Sequence, residues 1–275
     1  MFRLNRAQAV LVMAVLVLWA LMNLFPILVM LVSGFKSTVE IFTNPFGLPA
    51  KWTMINYVTA WNKANFALYF RNSVLVSAFS IAGIVLVSSM AAYILARYEF
   101  PGKRAVYLYI LAGLVLPARL AVIPIFLLMR DLRLINSLAG LIVVYVATNI
   151  SFSAFLLINF FRSIPMDLED SARIDGAGSF RIYRQINLPL LRPALATVTI
   201  FNFINVWNDF FFPLIFLNAK DKRTIPLGIQ TFFGEFAIQW DLLFAGLNIA
   251  IIPVIIFFLM LSRQFIAGLT EGAIR

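Results

Sequence analysis

The sequence predicts an all-α integral membrane protein with six transmembrane helices, and three observations lead to that fold class. Hydrophobic residues make up 62% of the 275 residues and charged residues only 12%, whereas about a quarter of a typical soluble domain is charged. The mean hydropathy is +0.93. Six apolar runs each reach the length of about 20 residues that a helix needs to cross about 30 Å of hydrocarbon.

The six apolar runs give the predicted spans in chain order. They are 9–32, 73–96, 107–129, 138–161, 194–217 and 242–261. The first run is too long for the apolar part of a signal peptide and is not followed by a small-residue cleavage site, so it is predicted to remain as a membrane anchor. Residues 1–275 are predicted to form a single transmembrane domain.

Lysine and arginine residues orient the predicted helices. With the N-terminus in the cytoplasm, the cytoplasmic segments carry twelve of these residues and the outer loops nine. Arg3, Arg6 and the short basic loop 97–106 favour the same orientation, because positive charge is retained on the cytoplasmic side. Both termini are therefore expected to be cytoplasmic.

The sequence has no cysteine and no histidine, which excludes several kinds of chemistry. A disulfide framework, a thiolate nucleophile, a Ser-His triad and a zinc site with cysteine or histidine ligands are all ruled out. The P-loop pattern GxxxxGK[ST] does not occur either. The net charge of +10 is spread between apolar runs instead of forming one basic face, which argues against nucleic-acid binding. We predict no catalytic residue and no metal site.

A polar segment, 163–192, lies between the fourth and fifth predicted spans and has the signals of two short helices. Asp167 is predicted to cap the first helix, because its carboxylate can accept backbone hydrogen bonds at a helix start. Glu169 and Asp170 then lie in the first turn, where carboxylates complement the helix dipole, and Gly176 can end the helix.

The second short helix is predicted to begin with Ser179 as its cap, and Pro189 and Pro193 then direct the chain into the fifth span. Because a helix of about nine residues is marginally stable alone in water, the segment needs a packing partner. Its arginines leave two alternatives open, a docking protein or the lipid headgroups of the membrane surface.

Polar residues also occur within the predicted spans. Asn202, Asn205 and Asp209 fall near one face of the fifth span. They are candidates for the lining of a translocation path or, alternatively, for hydrogen bonds to a partner subunit. Arg119 stands between two prolines of the third span, where broken helix geometry can line a cavity. Its side chain can instead extend to the outer membrane interface.

The predicted outer loop 218–241 has a polar tip with an aromatic centre, formed by Thr231, Phe232, Phe233 and Gly234. Such a tip is a candidate for contact with a partner protein, and a plain solvated connection is the alternative.

The segment 163–192 resembles the EAA loop of the membrane subunits of binding-protein-dependent ABC importers. The residues that carry the resemblance are those at the E-A-A, D-G-A and I-x-L-P positions: Asp170, Ser171, Ala172, Asp175, Gly176, Ala177, Ile186, Leu188 and Pro189. Two of the three name-giving positions differ, with Asp in place of Glu and Ser in place of Ala. Glu169 adjoins them, so a carboxylate is kept at the start of the helix.

Further stretches are similar to the carbohydrate branch of that family, and within it to the second membrane subunit of maltose-type transporters. They are FPILVMLVSGFKS, RNSVLVS, AAYILARYEFPGKR, WNDFFFPLIFL, TIPLGIQTF and GLTEGAIR, in this order along the chain. The resemblance thus extends over nearly the whole sequence and implies a multi-pass permease in the plasma membrane of a prokaryote.

The resemblance implies several partners. They are a second, similar permease subunit, a dimeric ATP-binding subunit, an extracytoplasmic solute-binding protein, a carbohydrate and membrane lipid. It implies no cofactor in this chain, since ATP and Mg would be bound by the ATPase subunits. The residues implied to couple to the ATPase are Glu169, Asp170, Ser171, Ala172, Asp175, Gly176 and Ala177. In the C-terminal tail, the implied ATPase contacts are Gly268, Thr270, Glu271 and Gly272.

Two other classes of protein remain as alternatives. An ATP-independent secondary transporter or channel would use Asp209 as its coupling carboxylate, although proton relays usually need several ionisable groups. A membrane enzyme or assembly scaffold is the third class, and the sequence has no convergent set of acid, base and nucleophile to support an enzyme.

Overall fold

A computed structural model describes residues 5–63, 65–234 and 238–273, apart from the side chains of residues 63 and 263–273. The helices are α1 Arg6–Ser33, α2 Thr38–Thr43, α3 Ile55–Lys63, α4 Phe66–Arg97, α5 Lys103–Val115, α6 Val122–Asp131, α7 Leu138–Ser163, α8 Asp167–Ile174, α9 Ser179–Ile182, α10 Leu188–Leu190, α11 Arg192–Asn208, α12 Phe211–Phe216, α13 Ile225–Ile229 and α14 Trp240–Ala273. A π-helical turn, Tyr183–Asn187, joins α9 to α10. In the described residues, β pairing is limited to a single bridge between Phe233 and Ile238. The predicted all-α class is therefore confirmed.

Four helices within the described residues are long and apolar enough to cross a membrane: Arg6–Ser33, Phe66–Arg97, Leu138–Ser163 and Trp240–Ser262. They coincide with the first, second, fourth and sixth predicted spans. The helix α1 begins with a capping box, in which Asn5 accepts from the Gln8 amide at 2.8 Å and donates its own amide to the Gln8 side chain at 3.0 Å. Apolar side chains surround α1 on all sides, as expected for a helix in lipid.

The third and fifth predicted spans are interrupted, which the sequence analysis did not predict for the fifth. In the third, α5 ends at Val115 and α6 begins at Val122. Pro117 in this gap has no amide hydrogen to continue a helix. In the fifth, α11 ends at Asn208 and α12 begins at Phe211. A helix through this point would need Pro213 to donate to the carbonyl of Asp209, which proline cannot do.

The chain also bends before α11. The axis of Ser179–Leu190 makes an angle of 76° with that of Arg192–Asn208. Pro189 and Pro193 flank the bend, so the predicted role of these prolines in redirecting the chain agrees with the structure.

The described residues form two compact units, one within Met1–Ala67 and Gly228–Ile252 and the other within Leu68–Leu227 and Pro253–Arg275. In the first unit, the Asn248 side chain donates to the carbonyl of Leu31 at 3.1 Å and to the hydroxyl of Tyr57 at 2.9 Å. The ammonium of Lys36 is fully buried and donates to the carbonyl of Asn44 at 2.7 Å. These polar contacts tie the end of α1 to α3 and α14.

The helix α7 contributes to two apolar clusters of the second unit. One cluster surrounds Tyr93, Leu157 and Phe161, at the end of α7 that leads into the segment 163–192. The other surrounds Val144 and Phe212, near the start of α7. Between them, α7 approaches α4 closely at Gly83, where an added Cβ atom would lie 2.8 Å from Val146 Cγ2. Because glycine has no side chain, the two helices can approach each other closely at this position.

Candidate functional site

The segment 163–192 forms α8, a turn, and a second irregular helix made of α9, the π turn and α10. The helix α8 begins at Asp167, but the capping residue is Met166, whose carbonyl accepts from the Glu169 amide at 2.8 Å. Ser179 is likewise the first residue of α9 and follows the cap Gly178. The predictions that Asp167 and Ser179 cap these helices are therefore wrong by one residue, because the preceding residues supply the caps without side-chain bonds.

The end of α8 is a Schellman motif, in which two amides turn back to bond the last carbonyls of the helix. The Gly176 amide donates to the Arg173 carbonyl at 3.0 Å, and the Ala177 amide donates to the Ala172 carbonyl at 2.9 Å. Gly176 has a φ of +80°, in the left-handed region that glycine adopts most easily. The predicted role of Gly176 in ending the helix is confirmed.

Glu169 is fully buried and holds α8 against two other elements. Its Oε1 lies 2.6 Å from Nε of Arg97, the last residue of α4, and the exposed fractions of the two side chains are 0% and 3%. The same oxygen accepts from the Asn187 side chain at 3.0 Å. Its Oε2 lies 3.2 Å from a terminal nitrogen of Arg173, one turn further along α8. The carboxylate is thus compensated by two cations and an amide.

The surrounding contacts make this arrangement rigid. Arg97 also donates to the carbonyl of Ile164 at 3.0 Å, just before α8. Farther into the second unit, the hydroxyls of Ser89 and Tyr183 lie 2.7 Å apart and link α4 to the π turn. The start of α8, the end of α4 and the π turn are therefore fixed to one another by buried polar contacts, which are the costliest to break.

The opposite side of α8 faces outward. Ile174 is 87% exposed and Leu168 is 46% exposed. Asp170 is exposed as well and pairs with Arg173 at 2.6 Å. Slight burial lowers the pKa of Arg173, but the hydrogen bond to Asp170 and the charge of Glu169 outweigh it and raise the pKa overall. Of the other predicted coupling residues, those that are exposed or half-buried are Ser171, Ala172, Asp175, Gly176 and Ala177.

Asp209 lies at the break between α11 and α12, where its carboxylate caps the short helix. It accepts from the amide of Phe212 at 3.1 Å and, on its other oxygen, from that of Phe211 at 3.4 Å. The hydroxyl of Tyr145 on α7 donates to it at 2.8 Å. Only 8% of the Asp209 side chain is exposed. This residue therefore joins α7 to the interrupted fifth span.

Arg119 lies at the other helix break and reaches the same place. Its guanidinium is 3.6 Å from the Asp209 carboxylate and 5.4 Å from the centre of the Phe211 ring. Two adjoining pockets of about 340 and 480 Å³ are both lined by Arg119, Asn205 and Asp209. Three of the four predicted translocation-path residues are therefore together at one cavity.

Asn202, the fourth predicted path residue, lies apart from that cavity. It is fully buried and donates to the hydroxyl of Ser153 on α7 at 2.9 Å and to the carbonyl of Val198 at 2.8 Å. The alternative of a hydrogen bond between helices describes this residue better, although its partner Ser153 belongs to the same chain.

The four candidate residues of the predicted outer loop also differ in their exposure. Phe232 is buried and its ring lies 5.9 Å from that of Phe66, so it packs inside the first unit. Thr231, Phe233 and Gly234 are exposed. In the C-terminal tail, the backbone of α14 continues as a helix to Ala273. The side chains of the tail candidates, Thr270 and Glu271 together with Gly268 and Gly272, lie outside the described part of the chain.

Sequence reasoning missed the residues that hold the candidates in place. Arg97 and Asn187 compensate Glu169, and Tyr145 donates to Asp209. Asn136, which has a positive φ of 55°, accepts through its side chain from the Ala219 amide at 2.9 Å. A polar residue at the end of a long apolar run was the available signal for Arg97, since such a residue often marks where a helix meets a polar contact.

Comparison with known proteins agrees with these features. Residues 84–270 match the family described as binding-protein-dependent transport system inner membrane component. The diacetylchitobiose uptake system permease protein NgcG of Streptomyces coelicolor is 39% identical over 98% of this chain and 90% of its own length. The starch degradation products transport system permease protein AmyC of Thermoanaerobacterium thermosulfurigenes is 34% identical over 93% of both chains.

A solved structure has the same fold. It is a chain of a bacterial ABC transporter involved in the import of the acidic polysaccharide alginate, with a TM-score of 0.84, 25% identity, and coverage of 96% of this chain and 100% of that chain. The family match, the identities and this fold agree with one another. The chain therefore belongs to the family of binding-protein-dependent transport system inner membrane components, and it is a permease subunit of an ABC importer, responsible for transport and not for ATP hydrolysis.

Proposed function

We propose that this permease subunit forms half of the translocation pathway for a carbohydrate or related solute. The relatives support the class of solute, since their names specify diacetylchitobiose, starch degradation products and, for a third relative in Bacillus subtilis, melibiose, raffinose and stachyose. The polar cavity at Arg119 and Asp209 supports a pathway through this chain. A second, similar permease subunit would form the other half, and an extracytoplasmic binding protein would deliver the solute.

The proposed topology has six spans with both termini in the cytoplasm, and residues 1–275 as one transmembrane domain. The two interrupted helices serve as the third and fifth spans, because α5 with α6 and α11 with α12 occupy apolar runs of sufficient length. Irregular backbone within a membrane is tolerated where it lines a cavity. The breaks at Arg119 and Asp209 meet that condition, since both residues line the same pockets.

We propose α8 as the coupling helix that docks on a cytoplasmic ATPase subunit. The observation that carries this proposal is the contrast between its two sides. One side of α8 is buried in the chain, where Glu169 contacts Arg97. Leu168, Asp170 and Ile174 are exposed elsewhere on the surface of the helix. Leu168 and Ile174 give this surface two exposed apolar side chains that a docked partner would cover.

Such a helix can pass on movement because it is rigidly attached. When the ATPase subunits close on ATP, a shift of α8 is transferred through the Glu169–Arg97 pair to the end of α4 and through Asn187 to the π turn before α11. Coupling of this kind biases two packed states of the membrane helices and needs no chemical step in this chain. ATP and Mg would be bound by the ATPase subunits alone.

Further contacts with partners are proposed for the C-terminal tail, the outer loop and the surface of α1. The helical C-terminal tail, with Gly268, Thr270, Glu271 and Gly272, would approach the ATPase subunits from the end of α14. On the outer side, Thr231, Phe233 and Gly234 would contact the binding protein. The apolar surface of α1 would face membrane lipid or the second permease subunit, since its side chains are exposed along nearly its whole length.

The first experiment is a mild-detergent purification of the tagged chain from its native cell, with identification of the co-purifying proteins. The ATPase activity of the eluate is then measured with and without candidate binding proteins. A second permease and an ATPase in the eluate, with hydrolysis stimulated by one binding protein, are expected. A lone oligomer of this chain, also after gentle crosslinking, would contradict the proposal.

A further inference from the structure

The cavity between the two helix breaks has an unequal distribution of charge. Arg119 and Asp209 both line it, but the exposed fraction of their side chains is 70% for the arginine and 8% for the aspartate. Solvent or a solute in the cavity therefore meets the guanidinium first, and meets the carboxylate only at its edge.

The hydrogen bonds of Asp209 explain why it is withdrawn. One carboxylate oxygen accepts from the Tyr145 hydroxyl at 2.8 Å and from the Phe212 amide at 3.1 Å. The other accepts from the Phe211 amide at 3.4 Å. Three hydrogen-bond donors thus stabilise the Asp209 carboxylate without any contribution from Arg119. The Arg119 guanidinium, at 3.6 Å, makes only a loose ion pair with it.

Arg119 in turn is held in a fixed orientation with donors to spare. Its guanidinium lies over the Phe211 ring, 5.4 Å from the ring centre, which favours one placement of the planar group. A guanidinium carries five N–H donors, and the carboxylate beside it can engage only some of them. Asn205 lines both adjoining pockets beside Arg119 and adds an amide group.

We propose that Arg119 and Asn205, with Asp209 behind them, form a solute subsite on this subunit for an anionic group of the solute, a carboxylate, sulfonate or phosphate. A guanidinium with free donors in a partly enclosed site is suited to bidentate contact with such a group. This subsite rests on the proposed pathway and names the chemistry that the pathway selects. In this arrangement Arg119 determines specificity, and Asp209 positions it.

The natural absence of cysteine from this chain permits a direct test. Asn205→Cys would introduce a single thiol beside Arg119, in the complex purified with its partner subunits and reconstituted in vesicles. Its rates of modification by an anionic reagent, sulfonatoethyl methanethiosulfonate, and by a cationic one, trimethylammonioethyl methanethiosulfonate, are each divided by the rate with free 2-mercaptoethanol. The ratio of these normalised rates reports the electrostatic potential at the cavity. Asn202→Cys, at a buried position outside the cavity, is the control for access.

The anionic reagent is expected to react about fivefold faster than the cationic one after normalisation, because the guanidinium is exposed to the cavity while the Asp209 carboxylate, only 8% exposed, is largely withdrawn from it. Adding Arg119→Gln leaves the Asp209 carboxylate at the cavity without this cation and should bring the ratio to that of the free thiol or below it, and Asn202→Cys should not react. For solute protection the thiol is placed at Asn208→Cys, which lines one of the two pockets beside Arg119 and leaves the subsite residues intact, and glucuronate should slow its modification more than glucose does at the same concentration. A ratio near that of the free thiol, a ratio insensitive to Arg119→Gln, or equal effects of the two sugars would each overturn the subsite.

The outcome for the subsite is separable from that for the proposed function. Recovery of the second permease and the ATPase is scored in the same preparation as the labelling. A complex that assembles and hydrolyses ATP but shows no charge preference at Asn205→Cys overturns the subsite alone. A chain that purifies without these partners contradicts the proposed function, whatever the labelling rates.

Discussion

Glu169 Oε1 and Arg97 Nε lie 2.6 Å apart in a fully buried contact, and they connect the outward-facing helix α8 to the last residue of α4. A carboxylate placed at the start of a coupling helix would ordinarily be expected to face the partner. Here it faces inward and serves as an internal brace. The buried Glu169–Arg97 contact therefore separates substitutions in α8 that should disturb the fold from those that should disturb only the proposed docking to the ATPase subunit.

The first prediction concerns this brace. Glu169→Met leaves the buried Arg97 guanidinium without its carboxylate, which costs about 3–5 kcal/mol in comparable sites, and Arg97→Met removes one of the two cations that compensate buried Glu169. The double substitution removes both charges and should be less destabilising than the sum of the two single ones. Thermal unfolding of the detergent-purified chain, arranged as a double-mutant cycle, measures the difference. Strict additivity would show that the two groups do not stabilise each other.

A matched control for the brace lies on the same helix. Asp170→Asn removes the exposed carboxylate of the Asp170–Arg173 pair and leaves both cations beside Glu169 in place, and exposed pairs of this kind contribute about 0–1 kcal/mol. Its unfolding temperature should stay close to that of the wild type. If Asp170→Asn destabilises as much as Glu169→Met, burial does not explain the strength of the Glu169–Arg97 contact.

The second prediction concerns the end of α8. Gly176→Ala places a side chain at a φ of +80° and should cost about 1–2 kcal/mol, whereas Gly178→Ala has an ordinary φ of −71° and should be nearly neutral. An added Cβ meets no atom within 4 Å at either position, so backbone conformation alone distinguishes the pair. Unfolding temperature and the amount of ATP hydrolysed per solute imported are the measurements. Equal behaviour of the two variants would contradict the role of Gly176.

The third prediction separates the two classes of transporter. Asp209→Asn keeps a side-chain oxygen that can cap α12 but removes the charge, so ATP-driven uptake should continue at a reduced rate. In an ATP-independent transporter that used Asp209 as its coupling carboxylate, the same change would abolish uptake. Asp209→Ala also removes the cap and should cost about 1 kcal/mol more in stability than Asp209→Asn. Uptake by reconstituted vesicles and thermal unfolding of both variants test these expectations together.

The fourth prediction uses two adjacent aromatic residues of the outer loop. Phe232→Ala leaves a cavity in the first unit and should destabilise the chain by about 3–5 kcal/mol. Phe233→Ala removes a side chain that is 51% exposed and should leave stability unchanged while weakening stimulation of the ATPase by the binding protein. Unaltered stimulation in Phe233→Ala would remove this side chain from the proposed contact.

The fifth prediction concerns the end of α14. Residues 268–275 follow the apolar part of this helix, so their removal should preserve membrane insertion. Association with the ATPase subunits should weaken, as judged by the yield of intact complex after detergent purification. An unchanged yield would mean that the tail makes no important contact with the ATPase.

The sequence predicted the long helices well because membrane insertion depends on the summed hydropathy of a segment, which is a local property. Four of the six predicted spans correspond to uninterrupted helices. The break before α12 was not predicted, since it depends on Pro213 together with the capping carboxylate of Asp209. A hydropathy pattern has no information about such backbone hydrogen bonds.

The candidate site was predicted less evenly than the fold. The pattern of the segment 163–192 located α8 and the glycine that ends it, because helix ends follow from residues close in sequence. The inward direction of Glu169 depends on Arg97 and Asn187, which lie far from it along the chain. The same holds for Tyr145 and Asp209, and for the contact of Asn202 with Ser153 that removes it from the cavity.

Because α7 is uninterrupted, a small tilt about one of its ends produces a larger displacement at the other end. This helix runs from Tyr145, beside the cavity, to Phe161, beside the segment 163–192, a length of about 24 Å at the helical rise per residue. A tilt of about 5° about the Phe161 end would move Tyr145 by about 2 Å. The 2.8 Å bond from Tyr145 to Asp209 would not survive such a movement. A small tilt of α7 about Phe161 would therefore free the Asp209 carboxylate from the Tyr145 donor and leave its negative charge less shielded from a passing solute.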